Sequence, residues 1–283
     1  MSHKHREIVY PKGFQGVFDT HAHLYDAKLT DDAKAVLHRA ALCGVSAILI
    51  PSDNVTTSVQ ATEYVTKWDG YEDIDLYCSV GVHPHEASTY EKYDAGQFII
   101  DMVSHRDEYK IKAIGEIGLD YYYDYSPRDV QREVFRKQLD LCYDLDIPFI
   151  LHERDATSDC LQILKEYKDK GRLLKTPGVC HCCSCSAEVA AELIKMGFFI
   201  GFDGPLTFKN NKKTPRTLEV CPLDRIVVET DCPYLTPEPN RGALNEPAFV
   251  PFVVEKVADI KGITIEEAVR ITHDNGNRLY RIS

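Results

Sequence analysis

The chain has 283 residues, of which 44% are hydrophobic and 27% charged, and a formal net charge of -11. That length buries a large core without disulfide staples and suits one α/β barrel domain, a class that routinely reaches about 250 residues. The acidic balance argues against a broad basic face gripping nucleic acid and favours a small-molecule enzyme, although bound metal ions can attract phosphate locally.

No apolar run approaches the ~20 residues that span a bilayer, so no membrane association is expected. The first twelve residues are polar and rich in His, Lys and Arg. They lack the apolar segment of a secretory signal, which predicts a cytoplasmic protein. A first strand is predicted over Val17–Thr20 and a helix over Thr30–Leu42, followed by a strand at Ala47–Pro51 and a helix at Asn54–Trp68. Strands follow at Asp75–Val82 and Lys112–Ile117. The helix Arg128–Leu145 places Val130, Val134, Phe135, Leu139 and Leu141 on one stripe, with Ser126 as its cap and Pro127 in its first turn. Then come strand Pro148–His152, helix Asp159–Lys170, strand Gly178–Cys183, helix Ala187–Met196 and strands Phe198–Phe202 and Arg225–Thr230. Helix Pro247–Lys261 follows, and Thr264–Glu267 resembles a capping box for a final helix.

Eight strands alternating with helices imply a parallel sheet, and eight is the number that closes into a TIM-type (β/α)8 barrel of the α/β class. The rival is an open doubly wound sheet, but no G-x-G-x-x-G follows the first strand. Residues 1–14 read as a polar N-terminal extension and 15–283 as a single barrel domain.

Barrel chemistry sits at the C-terminal ends of the strands, and there the unusual residues fall. The first strand ends in Asp19-Thr20-His21-Ala22-His23 and the third in Gly81-Val82-His83-Pro84-His85. The fourth ends in Gly115-Glu116-Ile117-Gly118-Leu119-Asp120, the fifth in His152-Glu153-Arg154, the sixth carries His181, and the eighth ends in Glu229-Thr230-Asp231.

His21 and His23, two apart on an extended strand, point to one side and can share a metal. Asp231 lies beside them once the barrel closes. Glu116 stands in an apolar strand, where a lone carboxylate is costly unless paired or metal-bound. It is either a salt-bridged core residue or, with His152 and His181 on the next two strands, a bridge between two metals. Glu229 is either an orienter of a metal-bound histidine or a structural ion-pair partner. His83 and His85 flank Pro84 in a stiff loop that contacts substrate, supports the ligands or only shapes the mouth. Arg154 suits bidentate phosphate binding, or else pairs with Glu153 or Asp155. Tyr121, Tyr122, Tyr123 and Tyr125 either offer stacking surfaces for bases or pack the loop.

Joined by Leu151-His152-Glu153-Arg154, by Glu229-Thr230-Asp231-Cys232-Pro233-Tyr234-Leu235-Thr236-Pro237, by Arg241-Gly242 and by Asn245-Glu246-Pro247, these strings run in order from about residue 17 to the C-terminus. Together the chain resembles the TatD family of metal-dependent deoxyribonucleases, within the wider amidohydrolase-like barrels. The resemblance implies two divalent metal ions, Zn, Mg or Mn. It places His21, His23, Glu116 and Asp231 on one, and Glu116, His152 and His181 on the other. It implies hydrolysis of DNA phosphodiesters, often as an exonuclease on single strands or ends, through a metal-activated water. In that reading Asp231 and Glu116 are catalytic, and Arg154, His83 and His85 contact substrate. No obligate protein partner is implied.

The sixth strand departs from the family, which usually reads His-Cys-Phe-Ser-Gly-Ser where this chain has His181-Cys182-Cys183-Ser184-Cys185-Ser186. A thiolate there binds a softer metal or oxidises, or Cys180, Cys182, Cys183 and Cys185 form a reduced, buried set without chemistry. The metal shell is complete without them. The functional rivals are a metal-dependent esterase or amidohydrolase acting on aminoacyl-tRNA or a small molecule, and a non-catalytic binding module. A lost ligand would mark the module, and every expected ligand position is filled.

Overall fold

The computed structural model describes residues 7–283. Its strands are β1 (Val17–Asp19), β2 (Val45–Ile50), β3 (Asp75–Val80), β4 (Ile111–Asp120), β5 (Phe149–Arg154), β6 (Gly178–Cys180), β7 (Phe199–Phe202) and β8 (Ile226–Val228). They pair in parallel in sequence order. Beyond the strand ends Thr20 N–H donates to Val228 O (3.1 Å), Asp231 N–H to His21 O (2.9 Å) and His23 N–H to Cys232 O (3.0 Å). The last strand is thereby laced to the first, and the sheet closes as the alternation predicts.

The helices are α1 (Ala27–Thr30), α2 (Ala33–Leu42), α3 (Val55–Trp68), α4 (Ala95–Ser104), α5 (Arg128–Asp144), α6 (Thr157–Asp169), α7 (Ala187–Lys195), α8 (Lys213–Val220), α9 (Val250–Lys261) and α10 (Ile265–Tyr280). None is long and apolar enough to cross a membrane. Strand residues alternate between two cores. Phe18, Ala47, Leu49, Tyr77, Ala113, Ile150, Val179, Phe199 and Val227 fill the barrel with Leu279 and Tyr280 of α10. Their neighbours, among them Ile48, Ile114, Leu151, Ile200 and Val228, pack outward on the helices. This is the period-2 signature of a strand with apolar layers on both faces.

Two expectations need correction. Ser126 does not cap α5: its hydroxyl donates to His85 O (2.9 Å), accepts from Ser88 N–H (3.1 Å), and pins the loop after β3. The helix expected over Thr30–Leu42 breaks at Asp31-Asp32, where two adjacent acids begin a second, separate helix. The described part of the segment before residue 15 is anchored on the barrel. Val9 exchanges hydrogen bonds with Asn240 (3.0 and 2.7 Å) and Phe14 is buried, while residues 1–6 of that extension lie outside the described residues. Thr264 caps α10 as expected, accepting from Glu267 N–H (3.1 Å).

Candidate metal centre

The site begins with an irregularity in β4. Between Ile114 and Ile117 that strand advances three residues while β5 advances two, from Phe149 to Leu151. The extra residue is a bulge, which re-aims a side chain. It turns Glu116 into the barrel although Ile114 and Ile117 both face outward. Glycine makes the passage possible. Gly118 has φ +143°, and a Cβ there would lie 2.0 Å from His152 O; only a residue without a side chain fits.

Glu116 then divides its two oxygens. Oε1 faces His21 Nε2 (3.5 Å) and His23 Nε2 (3.4 Å), and Asp231 Oδ1 lies 3.6 and 3.4 Å from the same two nitrogens. Oε2 faces His181 Nε2 (2.6 Å) and His152 Nδ1 (3.3 Å), which are 3.2 Å from each other. The rings of His21 and His181 stack at 4.1 Å. All six expected ligands therefore meet at one place.

Burial alone pushes Glu116 up, but His181 and His21, with hydrogen bonds from His152 and His181, hold it well below the usual carboxylate range. Asp231 is likewise lowered against burial, by His23 and then His21. Both stay ionised at neutral pH, the state that binds a cation. Burial and the neighbouring His181 push His21 down to about 4, so it is a neutral imidazole with a lone pair to offer.

The donor set fits divalent metal. Nε2 of His21 and Nε2 of His23 lie 3.2 Å apart and face the same two carboxylates. Metal–ligand bonds of about 2.1 Å give polyhedron edges of ~3.4 Å, the spacing seen here. Nδ1 of His21 and of His181 is buried without a hydrogen-bond partner among the described residues. These rings are held by what their Nε2 atoms face.

The surrounding side chains were only partly legible. His83 is not at the mouth: it is buried, its ring lies 4.3 Å from that of His152, and its Nδ1 accepts from His85 N–H (3.1 Å). His85 Nε2 contacts Asp120 Oδ2 (2.8 Å), which also contacts His152 Nε2 (3.2 Å). Glu229 contacts no histidine among the described residues. It accepts from the backbone N–H of Cys182 and, at 3.5 Å, from the Thr20 hydroxyl. Arg154 does not pair with Glu153, which instead caps α6 by accepting from Ala156 N–H and Thr157 Oγ1 (2.9 Å each). The Arg154 guanidinium lies over the rings of Tyr122 (4.0 Å) and Tyr123 (4.9 Å), both exposed.

Three acids went unassigned in the sequence. Asp120 supports His152. Asp53, at the end of β2, accepts from Tyr25 Oη (2.7 Å), which contacts His23 Nδ1 (2.9 Å) and so orients that ring. Asp203, at the end of β7, is buried beside Cys182 and Asp231, and burial followed by the Asp231 charge pushes it up to about 7. The one available signal was position: each is an acid at or just past the end of a strand. At the opposite end of the barrel a cleft of about 490 Å³ is lined by Phe14, Ile265, Val269 and His273. It contains none of the strand-end donors.

The family described as TatD related DNase matches residues 18–281. The chain belongs to the TatD family. It is 41% identical to an uncharacterized metal-dependent hydrolase, YabD, of Bacillus subtilis, over 94% of this chain and 100% of that protein. It is 31% identical to a protein of Erwinia billingiae named 3'-5' ssDNA/RNA exonuclease TatD, over 94% and 99%. The crystal structure of the TatD homologue YjjV from Escherichia coli superposes with a TM-score of 0.85 at 25% identity, covering 94% of this chain and 98% of that one. A TatD-family hydrolase from Entamoeba histolytica gives 0.84, also at 25% identity, over 95% and 99%. This TatD-family chain is thus a metal-dependent hydrolase with a TIM-type barrel, as expected.

Proposed function

We propose that the chain hydrolyses phosphodiester bonds of DNA, at single-stranded regions or ends and as an exonuclease, at a centre of two divalent cations. The observation that carries this is the division of Glu116: one oxygen toward His21, His23 and Asp231, the other toward His152 and His181. Zn, Mn and Mg all suit the reading, the histidine-rich set favouring Zn or Mn. Held by these residues, two cations would supply positive charge to the phosphate and acidity to water.

The protein's own groups do the rest. Glu116, only 3% exposed, fixes the centre, whereas Asp231 is 16% exposed and reaches the mouth. Asp231 accepts the proton of the attacking water and returns one to the leaving oxygen. Arg154 holds a phosphate oxygen, and Tyr122 and Tyr123 stack an unpaired base. His83 and His85 set the ligand-side wall rather than the substrate path. The name of the Erwinia billingiae relative supports a nucleic-acid substrate. All ten cysteines are free thiols, which supports a reducing, cytoplasmic setting.

The net charge of -11 favours the second reading, an esterase or amidohydrolase acting on aminoacyl-tRNA or a small molecule. A panel of single-stranded DNA, duplex DNA, aminoacyl-tRNA and small esters, each with and without chelator, separates the two. Chelator-sensitive release of nucleotides from single-stranded DNA is expected. Turnover of the esters alone would overturn the nuclease reading.

A further inference from the structure

The sixth-strand cysteines are not one group. Cys183 and Cys185 turn into the outer core, their sulfurs 3.0 Å apart. Cys182 faces the other way. Its backbone is left-handed, at φ 43°, and its N–H is anchored on Glu229. Its Sγ, a carboxylate oxygen of Asp203 and one of Asp231 all lie within 4.8 Å of one another.

Asp203 is the unexplained member. It is 1% exposed, and its Oδ2 has no hydrogen-bond partner among the described residues. A buried, unpartnered carboxylate oxygen is costly. No lysine or arginine among the described residues makes a salt bridge to Asp203, Glu229 or Asp231; Asp231 Oδ1 faces only the imidazoles of His21 and His23. Two carboxylates and a thiol thus share a corner to which no described lysine or arginine is paired.

We propose that Cys182 Sγ, Asp203 and Asp231 form a third cation site, taking a divalent metal of the zinc class. Binding releases the Cys182 thiol proton to solvent and leaves the sulfur as a thiolate ligand. One sulfur with two oxygens selects zinc or cobalt over magnesium or calcium, and three protein ligands leave a position toward the mouth for water or substrate. Asp231 becomes a carboxylate shared by two cations, as Glu116 is in the proposed two-cation centre. The site adds to that centre and touches it only through Asp231.

Cobalt(II) tests it, because a thiolate ligand gives a sulfur-to-metal charge-transfer absorption that histidine and carboxylate ligands do not. Metal-stripped full-length protein is titrated with Co²⁺, and bound metal is counted by elemental analysis. Three equivalents and a charge-transfer band are expected for the natural chain. Cys182→Ser and Asp203→Asn should each bind two and lose the band, while Cys183→Ser keeps three and the band. Thermal melting confirms that each variant is folded, and Cys182→Ala replaces any that is not. Two equivalents without the band would overturn the third site and leave the two-cation centre standing. A band that survives Cys182→Ser would also overturn it. A chain that binds no cobalt would overturn both.

Discussion

Asp120 and His152 are joined by a contact of 3.2 Å between Oδ2 and Nε2, while Asp120 Oδ1 accepts from the backbone N–H groups of Tyr122 and Tyr123 at 3.0 Å each. One carboxylate thus fixes an imidazole of the proposed metal centre and the turn that presents the exposed tyrosines. Such supports orient the ring and raise its basicity. Asp120→Asn keeps the shape and removes the charge. A loss of about 10–100-fold in metal affinity is expected, read by competition with a chelator. Unchanged affinity in the folded variant would show that His152 needs no such support.

Much of this architecture was legible because barrel strands repeat one grammar. Short apolar runs between amphipathic stretches place all eight strands to within a few residues. Candidate ligands two apart, as in His21 and His23, declare a shared face. Helices α4 and α8 were not expected. The first carries Gly96 near its start, and the second is eight residues long and contains Pro215, which mask the helical signal although Ala95, Ile99 and Val103 line one buried face of α4. The bulge in β4 depends on how that strand meets β5, so the inward turn of Glu116 was inferred from its cost rather than from its register. Asp53 and Asp203 gain meaning only when separate strand ends come together; locally each is one acid in a loop.

The glycine beside the bulge gives a prediction about folding. Gly118→Ala introduces a Cβ against the His152 carbonyl at a φ that side chains rarely adopt. A destabilisation of about 2–4 kcal/mol is expected, measured by urea unfolding. Because the clash falls on the His152 backbone, metal content should drop with it. A stable variant with full metal content would mean that β4 and β5 separate at little cost.

Cys183 and Cys185 should be dispensable for hydrolysis. Both are buried, face the helices, and contact each other rather than the ligands. The double variant Cys183→Ser/Cys185→Ser puts two hydroxyls where thiols were, and a stability loss of about 1–2 kcal/mol is expected. Metal content and most turnover should remain. Loss of bound metal would tie this pair to the centre.

Tyr123 and Arg154 should separate long from short substrates. The guanidinium lies on the tyrosine face, and the His85 ring stands nearly perpendicular to the same ring with 5.3 Å between their centroids. Base stacking on an aromatic ring is worth about 1–3 kcal/mol. Tyr123→Ala should therefore raise KM for single-stranded DNA while leaving turnover of a small phosphodiester unchanged. An equal effect on both substrates would assign the tyrosine to the structure of the turn.

Asp231 offers the sharpest test of the proposed chemistry. Its Oδ1 lies 3.4 Å from His23 Nε2 and 3.6 Å from His21 Nε2, and its backbone N–H donates to His21 O (2.9 Å), so its position is set by the closure of β8 on β1. It is ionised and more exposed than Glu116, the combination a proton acceptor at the mouth requires. Asp231→Asn preserves size and backbone hydrogen bonds but removes charge and basicity. Loss of a general base costs about 10²–10⁴-fold in rate, and weakened metal binding adds to that. The measurement is phosphodiesterase turnover on single-stranded DNA at saturating metal, with thermal melting as the folding control. His83→Ala, which removes a buried neighbour of His152 rather than a proton acceptor, should cost less. Because added metal compensates for weak binding but not for a missing base, the deficit of Asp231→Asn should persist as metal is raised. Near-normal turnover in the folded variant would mean that another group takes the proton, and Asp231 would be left as a metal ligand alone.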